Sequence, residues 1–387
     1  MKVAILTTDN RQHYRQYDRA EPLFGPAPEA LLQGLATMPE VEVHVVACIR
    51  QPVAAPKKLA PNIFFHSLVV PQLGWMRTLY QGCIRATRKK LSEIRPDLVH
   101  VQGTELDCGL GATFSGFPNV LTIHGNMRAV AKFFHARPGN FSFFWLAARL
   151  ENFTLPRTGG VFCNSAYTER LVAPRARQTW RVPNPVRQDF FNTPIPPRPP
   201  GRPVLLNVGS LLPYKHQLEV LAMARRLHTR GLQFEMQFAG ELTPHTAYGR
   251  EFERQLHAAQ AAGFARHLGS LSTAQLIAAM DAASALVHCS AEESFGLVVA
   301  EALARNRKFF GAATGGVVDI AAGVEGAELF PEGDFTALEE GIARWLKAEA
   351  PLPQRAADTM CQRYHPEVIA RRHVEIYREV IQGKAES

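Results

Sequence analysis

Glu293 and Glu301 stand eight positions apart in the stretch from His288 to Leu303. The stretch opens as the end of an apolar strand, Ala285-Leu286-Val287-His288. It passes through small and acidic residues, then takes up a helical pattern with Leu297, Ala300, Glu301 and Ala304. A helix starting near Ser294 or Phe295 would place its free N–H groups and positive dipole end beside Glu293. Such a start is a natural seat for a phosphate. Glu301 would follow about two turns in, roughly 10 Å along the axis. One carboxylate at the mouth and one deeper can hold two hydroxyl-bearing parts of one ligand with a phosphate between them, which is the shape of a sugar nucleotide. The same spacing also suits a plain strand-to-helix turn with Glu301 solvated, and this stretch alone leaves both readings open.

Other residues of the same half point the same way. Gly209-Ser210 at a strand tip permits close approach of a ligand, and Lys215 supplies a point charge a few residues on. Phe295, Gly296 and Leu297 offer backbone donors at the helix start, and Gly315-Gly316 makes a second permissive loop. Neither half contains an Asp-x-Asp metal motif. The expectation is therefore that no metal takes part, and that Lys215, helix donors and an arginine meet the charge of a departing diphosphate.

Stepping outward, strands and helices alternate in two successive arrays. In the first, apolar runs at Lys2–Thr8, Val41–Ala47, Asn62–Val70, Pro96–Gly103, Val120–Asn126 and Val161–Ser165 read as strands. In the second, strands are expected at Val204–Gly209, Phe234–Ala239, His267–Gly269, Ala285–His288 and Lys308–Ala312. The Pro-rich stretch 194–203 separates the arrays and reads as a stiff linker. This predicts an α/β chain of two doubly wound, Rossmann-like domains, 1–193 and 204–364, facing an interdomain cleft. Residues 365–387, after the break at His365-Pro366, form a terminal helix expected to cross back onto the first domain.

In the first array, polar residues end the strands at Thr7–Asp9, His100–Gly103 and His124–Asn126, where open parallel sheets collect ligands. His124, next to Gly125, lines a site or serves the core; Gly25 allows close backbone approach or is a plain turn. Residues 52–62 read as loop. Residues 76–95 read as a basic helix with Arg85, Lys89 and Lys90, either a solvated face or a contact with an anionic membrane. Phe133, Phe134, Phe141, Phe143, Phe144, Trp145 and Phe153 crowd 133–153 as core, acceptor wall or membrane contact.

Composition is that of a soluble globular protein: 46% apolar, 20% charged, with no apolar run long enough to cross a bilayer. The six cysteines are scattered with no metal-like pairing, which fits a reduced, cytoplasmic chain. Residues 1–195 hold 23 Lys and Arg against 13 Asp and Glu, a balance of +10; residues 196–387 hold 20 against 22, a balance of −2. The basic half suits an anionic partner. It has no base-reading motif, so a nucleic-acid role is not expected.

The chain resembles the family 4 glycosyltransferases, retaining enzymes of the GT-B fold. The resemblance rests on Pro96-Asp97-Leu98-Val99-His100-Val101, Thr122-Ile123-His124-Gly125, Val182-Pro183-Asn184-Pro185-Val186, Gly209 to Lys215, Glu293 to Leu303, and Glu332 to Leu338, all in the family's order. It implies that Glu301 binds the ribose hydroxyls of a UDP- or GDP-sugar and Glu293 contacts its sugar. Phe295, Gly296 and Leu297 would offer amides, and Lys215 would neutralise the diphosphate. The segment Gly269–Leu271 would hold the base, Gly25 would approach the diphosphate, and His124 would lie near the reacting sugar and acceptor. The implied reaction is metal-independent front-face transfer to a glycan or lipid-linked acceptor, with the leaving phosphate helping to deprotonate it. Two departures stand out: Ser210 where the family often has arginine, and Asn306 where it often has glycine. The competing readings are a sugar-nucleotide epimerase of the same fold and a non-catalytic binding protein. The expected location is the cytoplasm, with peripheral contact at the inner face of the membrane as a further hypothesis.

Overall fold

The computed structural model describes residues 1–134, 143–197 and 200–383. The chain divides into two compact units, Met1–Arg187 with Tyr364–Ser387, and Gln188–Arg363.

The first unit is built on eight strands: β1 (Lys2–Leu6), β2 (Glu42–Ile49), β3 (Lys58–Ala60), β4 (Ile63–Val69), β5 (Leu98–Gln102), β6 (Asn119–Ile123), β7 (Val161–Cys163) and β8 (Thr179–Arg181). They lie in the order β3-β4-β2-β1-β5-β6-β7-β8, parallel except at the β3–β4 edge. The order reverses beside β1, which pairs with β2 on one side and β5 on the other. Alternation along β1 shows how both faces are covered. Val3 and Ile5 enter one core with Leu31, Leu35 and Val43, while Ala4 and Leu6 enter another with Leu91, Val99 and Leu121.

The terminal helix Pro366–Gln382 belongs to this unit. His365 caps it, and Ile369, Ala370, Val374, Ile376 and Tyr377 join the core of Leu31 and Leu35. It lies so close to helix Pro26–Ala36 that a Cβ on Gly34 would stand 2.2 Å from the Pro366 carbonyl oxygen. Glycine is what lets the two backbones meet.

Two local expectations for this unit need correction. The stretch 52–62 contains β3, a short lysine-bearing edge strand whose pairing with β4 the Pro/Ala/Lys composition hides. The basic helix runs only over Gln81–Ile94, because Leu79 and Tyr80 take left-handed backbone angles that stop it from reaching further back.

The second unit holds β9 (Val204–Val208), β10 (Glu235–Ala239), β11 (Ala265–His267), β12 (Ala285–His288), β13 (Lys308–Ala312) and β14 (Ala327–Phe330), all parallel in the order β11-β10-β9-β12-β13-β14. β11 ends before the expected Gly269, whose φ of 71° leaves the extended region. β14 was not expected; it is a half-buried edge strand between Gly326 and Pro331. Gln188–Thr193 pack with this unit. Fully buried Arg305 explains why: it donates to the carbonyls of Phe190, Thr193 and Pro194 and forks onto Asp281.

Candidate active site

β9 and β12 are neighbours, so the loops that follow them meet. After β9 come Gly209, with φ 151°, and exposed Ser210, then a short 3-10 turn at Pro213–Lys215 and His216 in the left-handed region. Three hydrogen bonds stitch this loop and strand to the β12 side. Ala291 N donates to the Tyr214 carbonyl at 2.7 Å, His216 Nδ1 donates to the Cys289 carbonyl at 2.9 Å, and Asn207 Nδ2 donates to the Val287 carbonyl at 2.8 Å. The stitching delivers Lys215 to Glu293. Lys215 Nζ donates to Glu293 Oε2 at 2.7 Å, and His288 Nε2 stands 2.9 Å from the same oxygen.

Both ion-pair side chains are only 17% exposed. Burial pushes the Glu293 carboxyl upward, but Lys215 and the His288 hydrogen bond outweigh it and hold the group well below the usual carboxylate range. Burial pulls Lys215 down, and Glu293 more than restores it, so the ammonium is held above its ordinary value. Glu293 is therefore a fixed anion, suited to accepting hydrogen bonds and unsuited to moving a proton near neutral pH. His288 is a member of this site that spacing did not single out; its place at the tip of a buried strand was the available signal.

The helix itself is Leu297–Leu303, beginning later than expected. Gly296 sets the boundary, because it caps the helix with φ 97° and ψ 48°. A Cβ there would be 2.9 Å from Val317 Cγ2, so a side chain at position 296 is strained by the backbone and must displace Val317. Gly316 closes in from the other side: its N–H donates to the Glu293 carbonyl at 2.9 Å, and a Cβ on it would meet the Ser294 carbonyl oxygen at 2.5 Å. Phe295 is buried beneath this turn, Leu297 is the first helical residue, and Glu301 is buried within the helix rather than solvated. Gly269 lies at the tip beyond β11 with its carbonyl accepting from Gly240 N at 2.9 Å; half-buried Leu271 follows.

Lys215, Glu293, Gly296, Leu297 and Glu301 thus share one end of the second unit's sheet, while His124 and Gly25 belong to the first. Gly25 caps helix Pro26–Ala36 in extended conformation, and a Cβ there would touch only Pro28 at an ordinary 3.6 Å. His124 is half-buried beyond β6, its Nε2 2.8 Å from Gln102 Oε1. Burial pushes its pKa down to about 4, opposed by the Asn184 side chain, so the ring is neutral at pH 7. Asp9, expected as a polar tip, is committed to structure: buried Arg11 forks onto its carboxylate. A further group at the strand tips is Glu105, whose Oε2 lies 2.1 Å from where a Cβ on Gly103 would sit and whose Oε1 lies 3.6 Å from that of Gly125.

Two family models account for most of the chain. Residues 29–190 match "Glycosyltransferase Family 4" and residues 189–360 match "Glycosyl transferases group 1". The chain is a family 4-type glycosyltransferase. Its fold agrees with this. Sucrose-phosphate synthase from Thermosynechococcus elongatus superposes with a TM-score of 0.73 at 19% identity, over 99% of this chain and 100% of that one. HepE of Anabaena, solved with UDP-glucose, gives 0.71 at 18% identity over 98% and 100%. The lipopolysaccharide outer core galactosyltransferase WaaB gives 0.63 at 16% identity over 99% and 100%. The fold is GT-B. No curated protein matches the sequence.

Cys48 and Cys83, far apart in sequence, converge with Asp107 so that their ligand atoms lie within 4.8 Å of one another, a convergence that linear spacing does not reveal. All six cysteines are free thiols and only Cys361 is exposed. Among the described residues no helix is long and apolar enough to cross a membrane. Phe133 and Phe143 are exposed and Phe134 stacks on Phe144, while Phe141 lies outside the described residues. Arg85 and Lys89 are exposed, and Lys90 pairs with Glu93.

Proposed function

We propose that this glycosyltransferase moves a sugar, with retention and without a metal, from a UDP-sugar to a glycan or lipid-linked acceptor. The observation that carries this reading is the buried Lys215–Glu293–His288 cluster beside the Gly296 turn. A cation, a fixed carboxylate and a turn that favours glycine suit a ligand in which a diphosphate adjoins a hydroxyl-bearing sugar. Glu293 accepts hydrogen bonds from sugar hydroxyls. Lys215 meets diphosphate charge as it develops. Buried Glu301 accepts from the ribose hydroxyls, and the Gly269–Leu271 segment offers backbone groups to the base. Because Glu293 is held ionised by two donors, it orients the sugar and does not act as acid or base, and the leaving phosphate takes the acceptor proton. HepE, which shares the fold over nearly its whole length, is described with UDP and with UDP-glucose, which favours UDP over GDP as the first nucleotide to test.

On the first unit, Gly25, at the start of helix Pro26–Ala36, is suited to close approach by the diphosphate. The acceptor side includes His124, and the exposed Arg85 and Lys89 with Phe133 and Phe143 suit a peripheral contact with an anionic membrane at the cytoplasmic face. The deciding experiment is a thermal-shift comparison of UDP, GDP and ADP and their glucose conjugates, since a ligand that binds only the native state raises the melting temperature. UDP and UDP-glucose are expected to stabilise the protein. Stabilisation by none of them removes the donor reading. Release of UDP that needs an added acceptor separates transfer from epimerisation.

A further inference from the structure

A line of buried polar side chains crosses the first unit from the terminal helix to the end of β6. Tyr377, on helix Pro366–Gln382, places its hydroxyl 2.5 Å from His100 Nδ1 on β5. The other nitrogen, His100 Nε2, is 2.7 Å from Thr122 Oγ1 on β6. The Gln102 amide nitrogen lies 3.3 and 3.2 Å from the two His100 ring nitrogens, so it rests against the ring rather than on one atom of it. The same amide's oxygen stands 2.8 Å from His124 Nε2. His100 and Tyr377 have no exposed surface, and Gln102 and Thr122 have almost none. The His373 and Phe162 rings pack beside His100, with centroids 5.4 and 5.1 Å away.

This arrangement has a consequence for His124. An amide oxygen can only accept, so His124 Nε2 must carry the proton. Nδ1 is then a lone pair; it is buried and, among the described residues, no group meets it in full hydrogen-bonding geometry, although the Asn184 side chain lies beside the ring. The residue lines a small cavity with Gln102, Thr122, Asn184 and His373. Which way the Gln102 amide faces is in turn set by its nitrogen against His100, and the His100 ring is held at both ends by hydroxyls. We propose that Tyr377, His100 and Gln102 are positioning residues that hold the His124 imidazole in one tautomer and tie it to the seating of the terminal helix. Neutrality of the rings supports this. Burial, together with the neighbouring histidines, pushes His100 well below the ordinary imidazole value, and burial, opposed by the Ile369 carbonyl, pushes His373 down to about 4. The chain is therefore one of neutral groups whose order is set by hydrogen bonds. The inference rests on the transferase reading only for what His124 is positioned toward.

The test uses the full-length protein with 15N-labelled histidine and no ligand. Long-range proton–nitrogen spectra at pH 7 distinguish an Nε2–H ring from an Nδ1–H ring, and the His124 signals are assigned by their loss in His124→Asn. The wild type is expected to show Nε2–H alone. Gln102→Leu is expected to lose that single-tautomer signature, and Gln102→Glu, which still accepts from Nε2, to retain Nε2–H. Tyr377→Phe, a mild change at the far end, is expected to show both forms. It is also expected to lower kcat for UDP-sugar turnover while leaving the donor KM unchanged. A wild-type Nδ1–H ring overturns the proposal, as does a His124 spectrum in Gln102→Leu or in Tyr377→Phe identical to that of the wild type. Failure of UDP to bind would count against the donor reading and leave these spectra as they are, so the two failures are separable.

Discussion

Replacing Lys215 by methionine keeps an unbranched apolar stem, one atom shorter, but removes the charge that Glu293 depends on. The pair is 2.7 Å apart and its side chains are 17% exposed. Losing one partner of a fully buried pair costs about 3–5 kcal/mol; the remaining exposure and the surviving His288 contact reduce this to roughly 2 kcal/mol. For a unit of this size that is a fall of roughly 4–8 °C in Tm. The pH window follows from the directions of the two shifts. Glu293 is lowered from 4.5, so its contribution is complete above that value and is lost as pH falls through its lower native pKa. Lys215 is raised from 10.5, so its contribution is complete below that value and is lost as pH rises through the higher one. The gap between wild type and variant should therefore be flat from pH 6 to 9 and narrow in strong acid. UDP affinity should fall as well, by roughly 30-fold if one partly screened charge near the diphosphate is worth about 2 kcal/mol. Scanning fluorimetry across pH and calorimetric titration with UDP read both quantities. A variant as stable as the wild type at pH 7 would refute the claim that Lys215 holds Glu293. A stability loss with unchanged UDP affinity would refute its role toward the donor.

Further expectations concern the same elements. Gly296→Ala must place a side chain at φ 97° against Val317, so it should destabilise by roughly 1–3 kcal/mol in a urea titration and weaken UDP binding. Burial pushes the Glu105 carboxyl up to about 7, and among the described residues it has no ion pair. Its raised native pKa means that stability is lost as pH rises from the usual carboxyl range through about 7, so Glu105→Gln should be more stable than wild type at pH 8, by roughly 1–3 kcal/mol, and show no gain at pH 4; equal gains at both values would contradict this. Arg305→Met removes the fork onto Asp281 and three carbonyls, and should lower stability by roughly 3–5 kcal/mol while leaving UDP affinity in the surviving folded protein within about twofold. Asn306→Gly, at φ 52°, should change stability by less than about 1 kcal/mol and leave donor preference as it was, read by urea titration and a donor panel.

Much of the framework can be read from local patterns because buried parallel strands have few other ways to look. Val3-Ala4-Ile5-Leu6 and Ala285-Leu286-Val287 are apolar on both faces, and each is a fully or almost fully buried strand. Edge strands escape for the opposite reason. Lys58–Ala60 and Ala327–Phe330 bury only part of their surface, so no run of apolar residues marks them. At the site, Glu293, Lys215 and Gly296 could be chosen because charge and glycine placement carry their own meaning. His288 could not, since a histidine ending a buried strand looks like any core histidine until a carboxylate from the next loop is placed against it. The path from Tyr377 to His124 joins positions 277 residues apart at its first step, a distance across which no periodicity speaks.

The run Arg305-Asn306-Arg307 departs from a family pattern in which glycine often stands where Asn306 stands. Asn306 in fact adopts φ 52°, a left-handed conformation that glycine takes freely and asparagine tolerates better than most residues. Its side chain adds bonds that glycine lacks, accepting from Ala357 N at 2.8 Å and donating to the Gln354 carbonyl at 3.3 Å. The turn is thus retained by a residue able to make it. The two arginines beside it are buried and turn toward the chain that enters the second unit, Arg305 onto Phe190, Thr193 and Pro194 and Arg307 onto the Pro196 carbonyl, with a further bond to the Ala283 carbonyl of the sheet side. A guanidinium has five donors in a fixed plane, so one side chain can satisfy several carbonyls of a proline-rich segment that has few N–H groups of its own to offer a sheet or helix. The basic run is therefore an anchor for the entering chain.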